Sequence, residues 1–313
     1  MWLETIAVTG ALGFTSAECR TPPYDHRVRT ALLTAHFGSP FWAQLLLARV
    51  RPAFPRLSTR DIFVIDQDRT ATSGDSIRSL LGDVNVLRYP RSEPHVDTTG
   101  HDHAHVLNLA VRDVDADVLI LFDSDAHPVD ASVGAAVARL LDENDAILAA
   151  HSAEGTFSHP SFMVFGPSVD RNALFFDADQ LERRVDTGRK IYEQVRDLGL
   201  RAELLRPTPA FDGLWGTLYL DGTVYHHGSG SFESTGDPRF LRQVSTWRRE
   251  ERLFRRKVAR GVYTVTPLEA RLVRASRRVR RVRARLEAVL WSRAPWLARR
   301  LGLVVHPTNR GLD

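Results

Sequence analysis

Two carboxylates follow a strongly apolar stretch near the middle of the chain. Residues 118–122 read Val-Leu-Ile-Leu-Phe, and Asp123, Ser124 and Asp125 come next. An unbroken apolar run of this length predicts a strand covered on both faces, as in a parallel sheet flanked by helices. Because alternate side chains of an extended chain share a face, we expect Asp123 and Asp125 to point the same way at the end of this strand.

Two neighbouring carboxylates partly removed from water need a cation. One unpaired buried charge costs on the order of several kcal/mol, and no Lys or Arg occurs within the next several positions. Oxygen ligands suit Mg²⁺ or Mn²⁺, and open α/β sheets bind ligands at the carboxyl ends of their strands. The triplet therefore predicts a metal–diphosphate site; the alternative is that both aspartates only cap the following turn.

Length and composition limit the classes of protein. The chain has 313 residues, 43% of them hydrophobic, which predicts one large α/β domain or two smaller ones and excludes a disordered chain. The single cysteine, Cys19, excludes an intramolecular disulfide and predicts a reducing compartment. We find neither an export signal nor an uncharged apolar stretch of about 18 residues, so we expect a cytoplasmic protein without membrane spans.

Predicted strands and helices alternate from Thr30 onward. Alternation of this kind predicts a doubly wound, mainly parallel α/β sheet. Asp221 and Gly222 predict a hairpin between short strands at 217–220 and 223–225. The apolar patterns predict strands at 30–35, 62–65, 84–87, 118–122, 146–150 and 161–165, and helices at 40–50, 76–81, 102–112 and 131–141.

Other polar residues follow predicted strands or begin helices. Asp66 ends the second strand, where it serves either to bind a nucleobase edge or as an ordinary turn residue. Asp186 precedes a helix that stops at Gly199, so it is an N-cap and also a candidate catalyst. The segment 151–160 is predicted to be a loop that presents a second substrate.

A histidine pair leads into a small-residue loop. Residues 226–231 read His-His-Gly-Ser-Gly-Ser, so His226 is a candidate metal ligand and the amides around Ser229 and Ser231 are candidates for binding phosphate. The alternative is a polar strand edge.

Two further motifs are weaker evidence for a binding site. His101 and His105 have a spacing that can chelate zinc, but no third ligand is evident, and a solvated helix start near the ligand cleft is the preferred interpretation. Residues 8–16 are similar to the glycine loop of nicotinamide-dependent reductases, yet Ser16 replaces the last glycine and Pro22 interrupts the helix that such a loop requires.

Across roughly residues 30–232 these motifs resemble the inverting family-2 glycosyltransferases of the GT-A fold. Asp123-Ser-Asp125 is similar to the family's DxD motif. Asp186 and its helix to Gly199 are similar to the acidic motif and following helix. Residues 224–231 are similar to the family's "vyHhgs" segment. The expected domains are an extension at 1–29, a GT-A catalytic domain at 30–235 with a short antiparallel addition to its sheet, and an Arg-rich helical region at 236–313.

The resemblance implies a hexosyltransferase that moves a sugar from a nucleoside-diphosphate sugar to a hydroxyl acceptor, which would be a glycan, a lipid-linked glycan or a small molecule. Asp125 and His226 would ligate Mn²⁺ or Mg²⁺, and Asp123 would contact the metal or the donor ribose. Asp66 would bind the base, and Asp186 would deprotonate the acceptor.

The sequence departs from the family at the catalytic position, where Val185 stands in place of the usual Glu. Alternative bases are Asp177, Asp179 and Asp212, and if none of them is the base a retaining mechanism becomes an alternative. A nucleotidyltransferase acting on sugar phosphates would share the sheet and the aspartates, and a non-catalytic binding module would share the fold without needing Asp186.

The C-terminal region is basic and amphipathic. Arginines fill most positions between the members of an apolar stripe, and Trp291 and Trp296 follow it. This pattern fits an anionic membrane surface at the inner membrane face, or equally a helix packed on its own domain or on a partner. Nucleic acid is not an expected partner. The stripe consists of Leu268, Leu272, Ala275, Val279, Val282, Leu286 and Val289.

Overall fold

The computed structural model describes residues 28–36, 40–67, 81–89, 99–152, 157–176, 187–228 and 252–301. Their strands are β1 Thr30–His36, β2 Ile62–Asp66, β3 Asn85–Leu87, β4 Val118–Asp123, β5 Ala126–Pro128, β6 Ala146–Ala150, β7 Ser158–Phe165, β8 Ala202–Leu205, β9 Thr208–Pro209, β10 Thr217–Tyr219 and β11 Val224–His226. Their α-helices are α1 Pro40–Ala53, α2 Thr99–Asp113, α3 Ser132–Glu143, α4 Ile191–Asp197, α5 Pro267–Arg293 and α6 Pro295–Arg300.

Seven strands form the main sheet in the order β3-β2-β1-β4-β7-β6-β8. The pairs β1–β2, β1–β4, β2–β3 and β6–β8 are parallel, whereas β7 runs antiparallel to both β4 and β6. A second, antiparallel sheet has the order β5-β11-β10-β9. The predicted fold class, a mainly parallel α/β sheet with a short antiparallel addition, is confirmed.

The central strand β4 shows why the main sheet forms. Its residues from Val118 to Phe122 are all buried. Ile120 and Phe122 pack in a core with α1 and α3, while Leu119 and Leu121 pack in a core with α2 and α4. Helices therefore cover both faces, which is why the sequence of this strand is apolar throughout and does not alternate.

The predicted hairpin around Asp221 and Gly222 is confirmed and joins β10 to β11. Leu220, Asp221 and Gly222 have φ angles of 51°, 53° and 87°, so the turn uses left-handed backbone that Gly and Asp tolerate best. Because β11 pairs with β5, and β5 follows β4 after a two-residue turn, the hairpin carries the end of β11 to the carboxyl end of β4.

Two predicted boundaries were wrong. β7 begins at Ser158, not at Ser161, so part of the predicted loop 151–160 is strand. The helix after Asp186 is shorter than predicted and spans Ile191–Asp197, so its N-cap is Lys190 and the prediction that Asp186 caps it was wrong. Gly199, at φ 76°, does end that segment. The predicted helix at 76–81 lies outside the described residues except for Leu81.

The described part of the C-terminal region shares a core with residues of the α/β region before it. Phe254 and Val258, in a helix at 252–259, are fully buried in a cluster that includes Trp42, Tyr225 and Val273. A capping box between Thr266 and Glu269 starts α5. The predicted domain boundary at 235–236 lies outside the described residues. Among the helices described, none combines the length and apolar character that a membrane span needs.

Candidate metal and substrate site

Polar side chains collect at the carboxyl ends of the parallel strands. β1 ends at His36, β2 at Asp66 and β4 at Asp123. His36 pairs with Asp66, and Asp123 pairs with Ala35, the residue before His36. Since parallel strands end at the same edge, residues far apart in the chain meet there.

Asp123, His159 and His226 form a cluster that could hold a metal ion. One ligand atom from each lies within 4.8 Å of those of the other two, and all three residues are half-buried. The rings of His159 and His226 are 5.1 Å apart. Because β7 runs antiparallel to β4, its first residues lie at the carboxyl end of β4 and bring His159 to the cluster.

His159 was not among the ligands predicted from the sequence. It precedes Pro160, and proline disfavours a ladder position, which is why the predicted strand began after it. The structure accommodates this proline at an irregularity, where the pairing of β6 with β7 shifts register between Leu148 and Ala149. Proline next to the start of an apolar strand is the sequence signal that indicates such a bulge.

Asp125 lies on the other side of His226. Its Oδ1 is 3.5 Å from His226 Nε2, and its backbone oxygen accepts a hydrogen bond of 2.9 Å from His227 N. The expectation that Asp123 and Asp125 share a face of an extended chain was wrong, because the strand ends at Asp123 and Ser124 and Asp125 form a turn. Both carboxylates nonetheless lie near His226.

His103 on α2 contacts Asp123. Its Nε2 is 3.3 Å from Asp123 Oδ1, and its Nδ1 is 3.2 Å from Gln67 Oε1. The imidazole thus connects the end of β4 to the residue after β2. His105 is not part of the described metal-capable cluster, and the side chain of His101 lies outside the described residues.

Asp66 is the predicted base-binding residue. Its side chain is 1% exposed, and Oδ2 lies 3.3 Å from Arg88 Nε, after β3. Asp66 therefore sits at the expected edge with its carboxylate facing a guanidinium.

The predicted catalytic residue Asp186 lies outside the described residues, as do Ser229, Ser231, Asp177 and Asp179. The chain directly after Asp186 is well anchored: Thr187 is buried, and the Ser158 hydroxyl donates to Gly188 O at 2.6 Å. Ser158 Oγ also accepts from Tyr192 N at 3.1 Å. This anchor lies one residue from His159.

Behind the site, His227 is buried in an aromatic cluster. Trp215 Nε1 donates to His227 Nε2 at 3.1 Å, so Nδ1 carries the ring proton and pairs with the Tyr225 hydroxyl at 2.8 Å. The Trp42 ring centroid is 4.3 Å from that of His227. Burial lowers the pKa of His227 to about 3, so the ring is neutral.

Asp212, an alternative base, lies in an exposed loop and forms an ion pair with α5. Its Oδ2 is 2.6 Å from Arg274 Nη2. Arg277 of the same helix donates to the backbone oxygen of Leu214. These contacts tie Asp212 to the C-terminal helix.

The comparisons with known proteins give fold-level likenesses. No family model and no curated relative match the chain. A solved structure of a Pyrobaculum calidifontis mannosyltransferase in complex with GDP-Man and Mn²⁺ is 16% identical with a TM-score of 0.42, covering 58% of this chain and 56% of that one. S. aureus TarS 1-349 is 13% identical with a TM-score of 0.41, covering 70% and 64%.

A third solved structure, a cytidylyltransferase from Leptospira borgpetersenii serovar Hardjo-bovis, is 12% identical with a TM-score of 0.37 and covers 57% of this chain and 76% of that one. The structures similar to this chain thus include a mannosyltransferase and a cytidylyltransferase. At these scores the likenesses assign no activity, and the functional argument rests on the geometry of the site.

Proposed function

We propose that this protein is a metal-dependent glycosyltransferase that moves a sugar from a nucleoside-diphosphate sugar to a hydroxyl acceptor, with inversion at the anomeric carbon. The observation that carries the proposal is the convergence of Asp123, His159 and His226 at the carboxyl edge of a mainly parallel sheet. That edge is where open α/β sheets bind phosphorylated ligands.

The residues present fit a divalent cation. One carboxylate and two imidazoles within 4.8 Å make a mixed oxygen and nitrogen donor set. Mg²⁺ prefers oxygen ligands alone, so of the two predicted ions this set favours Mn²⁺. A bound cation would neutralise the charge that develops on the diphosphate leaving group.

The neighbouring side chains hold these ligands in place. Asp125 lies against the His226 ring and His103 against Asp123, at 3.5 Å and 3.3 Å. Carboxylate and imidazole partners of this kind fix ring orientation and raise the affinity of a site for its metal. Asp125 as a direct ligand, as the resemblance implies, remains a prediction.

Asp186 is the proposed general base. In the sequence it directly precedes Thr187 and Gly188, and Gly188 O accepts a hydrogen bond from Ser158, the residue before His159 in the chain. A carboxylate there would accept the acceptor's hydroxyl proton during in-line attack. Ser229 and Ser231 would contact the diphosphate, and Asp66 the nucleobase, as the resemblance implies.

The test of this function uses Asp186→Asn with Mn²⁺ and a panel of nucleoside-diphosphate sugars. Asn has nearly the shape of Asp and keeps its hydrogen-bonding ability but cannot accept the proton, so turnover with acceptor should fall by about a hundredfold to ten-thousandfold. The melting temperature and donor binding should stay near those of the parent. Asp179→Asn, at one of the alternative bases, should by contrast leave turnover close to that of the parent, and a collapse there would assign the base to Asp179.

Three results would contradict the proposal. Release of pyrophosphate from a nucleoside triphosphate and a sugar phosphate would identify a nucleotidyltransferase. Donor binding with neither sugar transfer nor slow hydrolysis of the donor would identify a binding module. A product that retains the anomeric configuration, measured by NMR, would reject inversion and the role of Asp186.

A further inference from the structure

The helix α5 has two different faces. Ala270 and Val273 are buried in the aromatic core, and Arg277 donates to Leu214 O, so one face packs on the catalytic domain. At 3.6 residues per turn these three residues lie roughly opposite the apolar stripe predicted from the sequence. The stripe consequently points away from the domain that α5 packs on.

The stripe is exposed. Its six large members range from 49% exposed for Val289 to 68% for Val279. An apolar surface of this length left in water is unfavourable and indicates an interaction site. The six residues are Leu268, Leu272, Val279, Val282, Leu286 and Val289.

Arginines border the stripe. Arg271, Arg278 and Arg285 recur every seven residues along one side of it, and all three are exposed. In the part of the chain that the structure describes, the ion pairs of α5 involve Arg274, Arg283 and Glu269, and none involves these three arginines. Over its whole length α5 has nine arginines and two glutamates. Its partner must therefore offer both apolar and anionic groups.

A second copy of the chain fits this surface poorly. The alternating spacing of four and three would place the three bordering arginines at flanking positions of a coiled coil, where charges select the partner. In a parallel pair Arg278 would face Arg283 of the other copy, and in an antiparallel pair the bordering arginines would face each other. Like charges at such positions are destabilising.

We propose that α5 docks the protein on an anionic phospholipid surface, with the stripe in the interfacial layer and the bordering arginines on the lipid phosphates. An amphipathic helix with a cationic polar face binds membranes in this way without crossing them. Trp296, which is 66% exposed at the start of α6, would lie at the headgroup level. The opposite face of α5 would keep the catalytic domain next to the membrane.

Co-sedimentation of the full chain with vesicles tests this inference. We expect binding to vesicles of phosphatidylcholine with phosphatidylglycerol, little binding to phosphatidylcholine alone, and release as salt is raised, because ions screen the arginine contacts. Replacing Arg271, Arg278 and Arg285 by Gln should weaken partitioning about a hundredfold. The matched control, with Arg51, Arg56 and Arg206 replaced by Gln, removes the same charge elsewhere and should bind nearly as the parent does.

A second variant tests the apolar stripe separately from the arginines. Val279→Ser, Val282→Ser and Leu286→Ser together keep every arginine and should weaken partitioning at least tenfold. These positions are exposed, so the melting temperature should be unchanged. Truncation after Arg277 keeps Ala270 and Val273 in the core and should abolish binding.

Several results would overturn the inference. Equal recovery from both vesicle types, or unchanged binding in the serine variant or the truncated chain, would reject docking through α5. A lipid-free dimer that the serine variant converts to a monomer, with no binding to vesicles, would assign the stripe to a second copy. The readout needs no sugar transfer, so it can succeed or fail independently of the proposed function.

Discussion

His226 and His227 are adjacent in the chain but belong to two different regions. His226 is half-buried and faces Asp123, Asp125 and His159 at the edge of the sheet. His227 is 3% exposed and is surrounded by Trp42, Trp215 and Tyr225. Alternation along β11 and its continuation sends neighbouring side chains to opposite sides. The same residue type therefore lies in the metal-capable cluster on one side and in the aromatic core on the other.

The first prediction, with the largest effect, concerns the polar side of this comparison. His159→Ala and His226→Ala each remove one ligand of the proposed metal site, so the stabilisation by Mn²⁺ with a nucleoside diphosphate should be abolished, measured as a shift in melting temperature. Without metal, both variants should melt close to the parent, because the two side chains are not in the apolar core.

Asp125→Asn tests whether Asp125 is a direct metal ligand or only orients His226. If Asp125 only orients His226, metal affinity should fall by about ten- to a hundredfold and not vanish. Complete loss would make Asp125 a direct ligand, as the sequence analysis predicts. Full metal-dependent stabilisation in His159→Ala would remove His159 from the site.

The second prediction concerns the aromatic side. His227→Ala opens a cavity and removes the hydrogen bonds that His227 forms with the Trp215 indole and the Tyr225 hydroxyl, so we expect a loss of about 3 kcal/mol in unfolding free energy. Urea denaturation measures it. His226→Ala is the matched control and should lose less than about 1 kcal/mol. Equal losses in the two variants would contradict the division between these regions.

The pKa of His227 gives the same comparison a second readout. Its folded pKa is about 3, below the usual value of 6.5, so the unfolded state binds the proton more readily. The stability associated with His227 is fully present above pH 6.5 and declines as pH falls toward 3. His127, whose pKa burial also lowers to about 3, contributes in the same direction. His227→Gln should flatten this decline in part, measured as unfolding free energy against pH.

The third prediction has the smallest effect and concerns the ion pair between α5 and the loop that contains Asp212. The side chains of Arg274 and Asp212 are 51% and 72% exposed, and ion pairs this exposed contribute at most about 1 kcal/mol. Asp212→Asn should therefore change unfolding free energy by less than that and keep turnover within a few-fold. A collapse of turnover at unchanged stability would make Asp212 the base in place of Asp186.

Local patterns predicted much of the fold. The apolar run before Asp123 predicted a strand covered on both faces, Asp221 and Gly222 predicted the hairpin, and the residues after Thr266 predicted a long amphipathic helix. Each of these depends on the period of side chains along one element or on turn chemistry, and both are written in consecutive residues.

The composition of the candidate site depended on tertiary structure. His159 joins Asp123 and His226 because β7 is antiparallel to β4 and has a register shift near Pro160, and neither strand direction nor register shift is visible in one segment. The exposure of the stripe on α5 has the same origin. Periodicity predicted the stripe, but contacts of Ala270 and Val273 with distant residues decided that the opposite face packs on the domain. By itself the sequence determined the longer strands and helices and the residue types near their ends. Only the tertiary structure decided the short strands β5, β8 and β9 and which side chains meet, because both depend on packing between segments far apart in the chain.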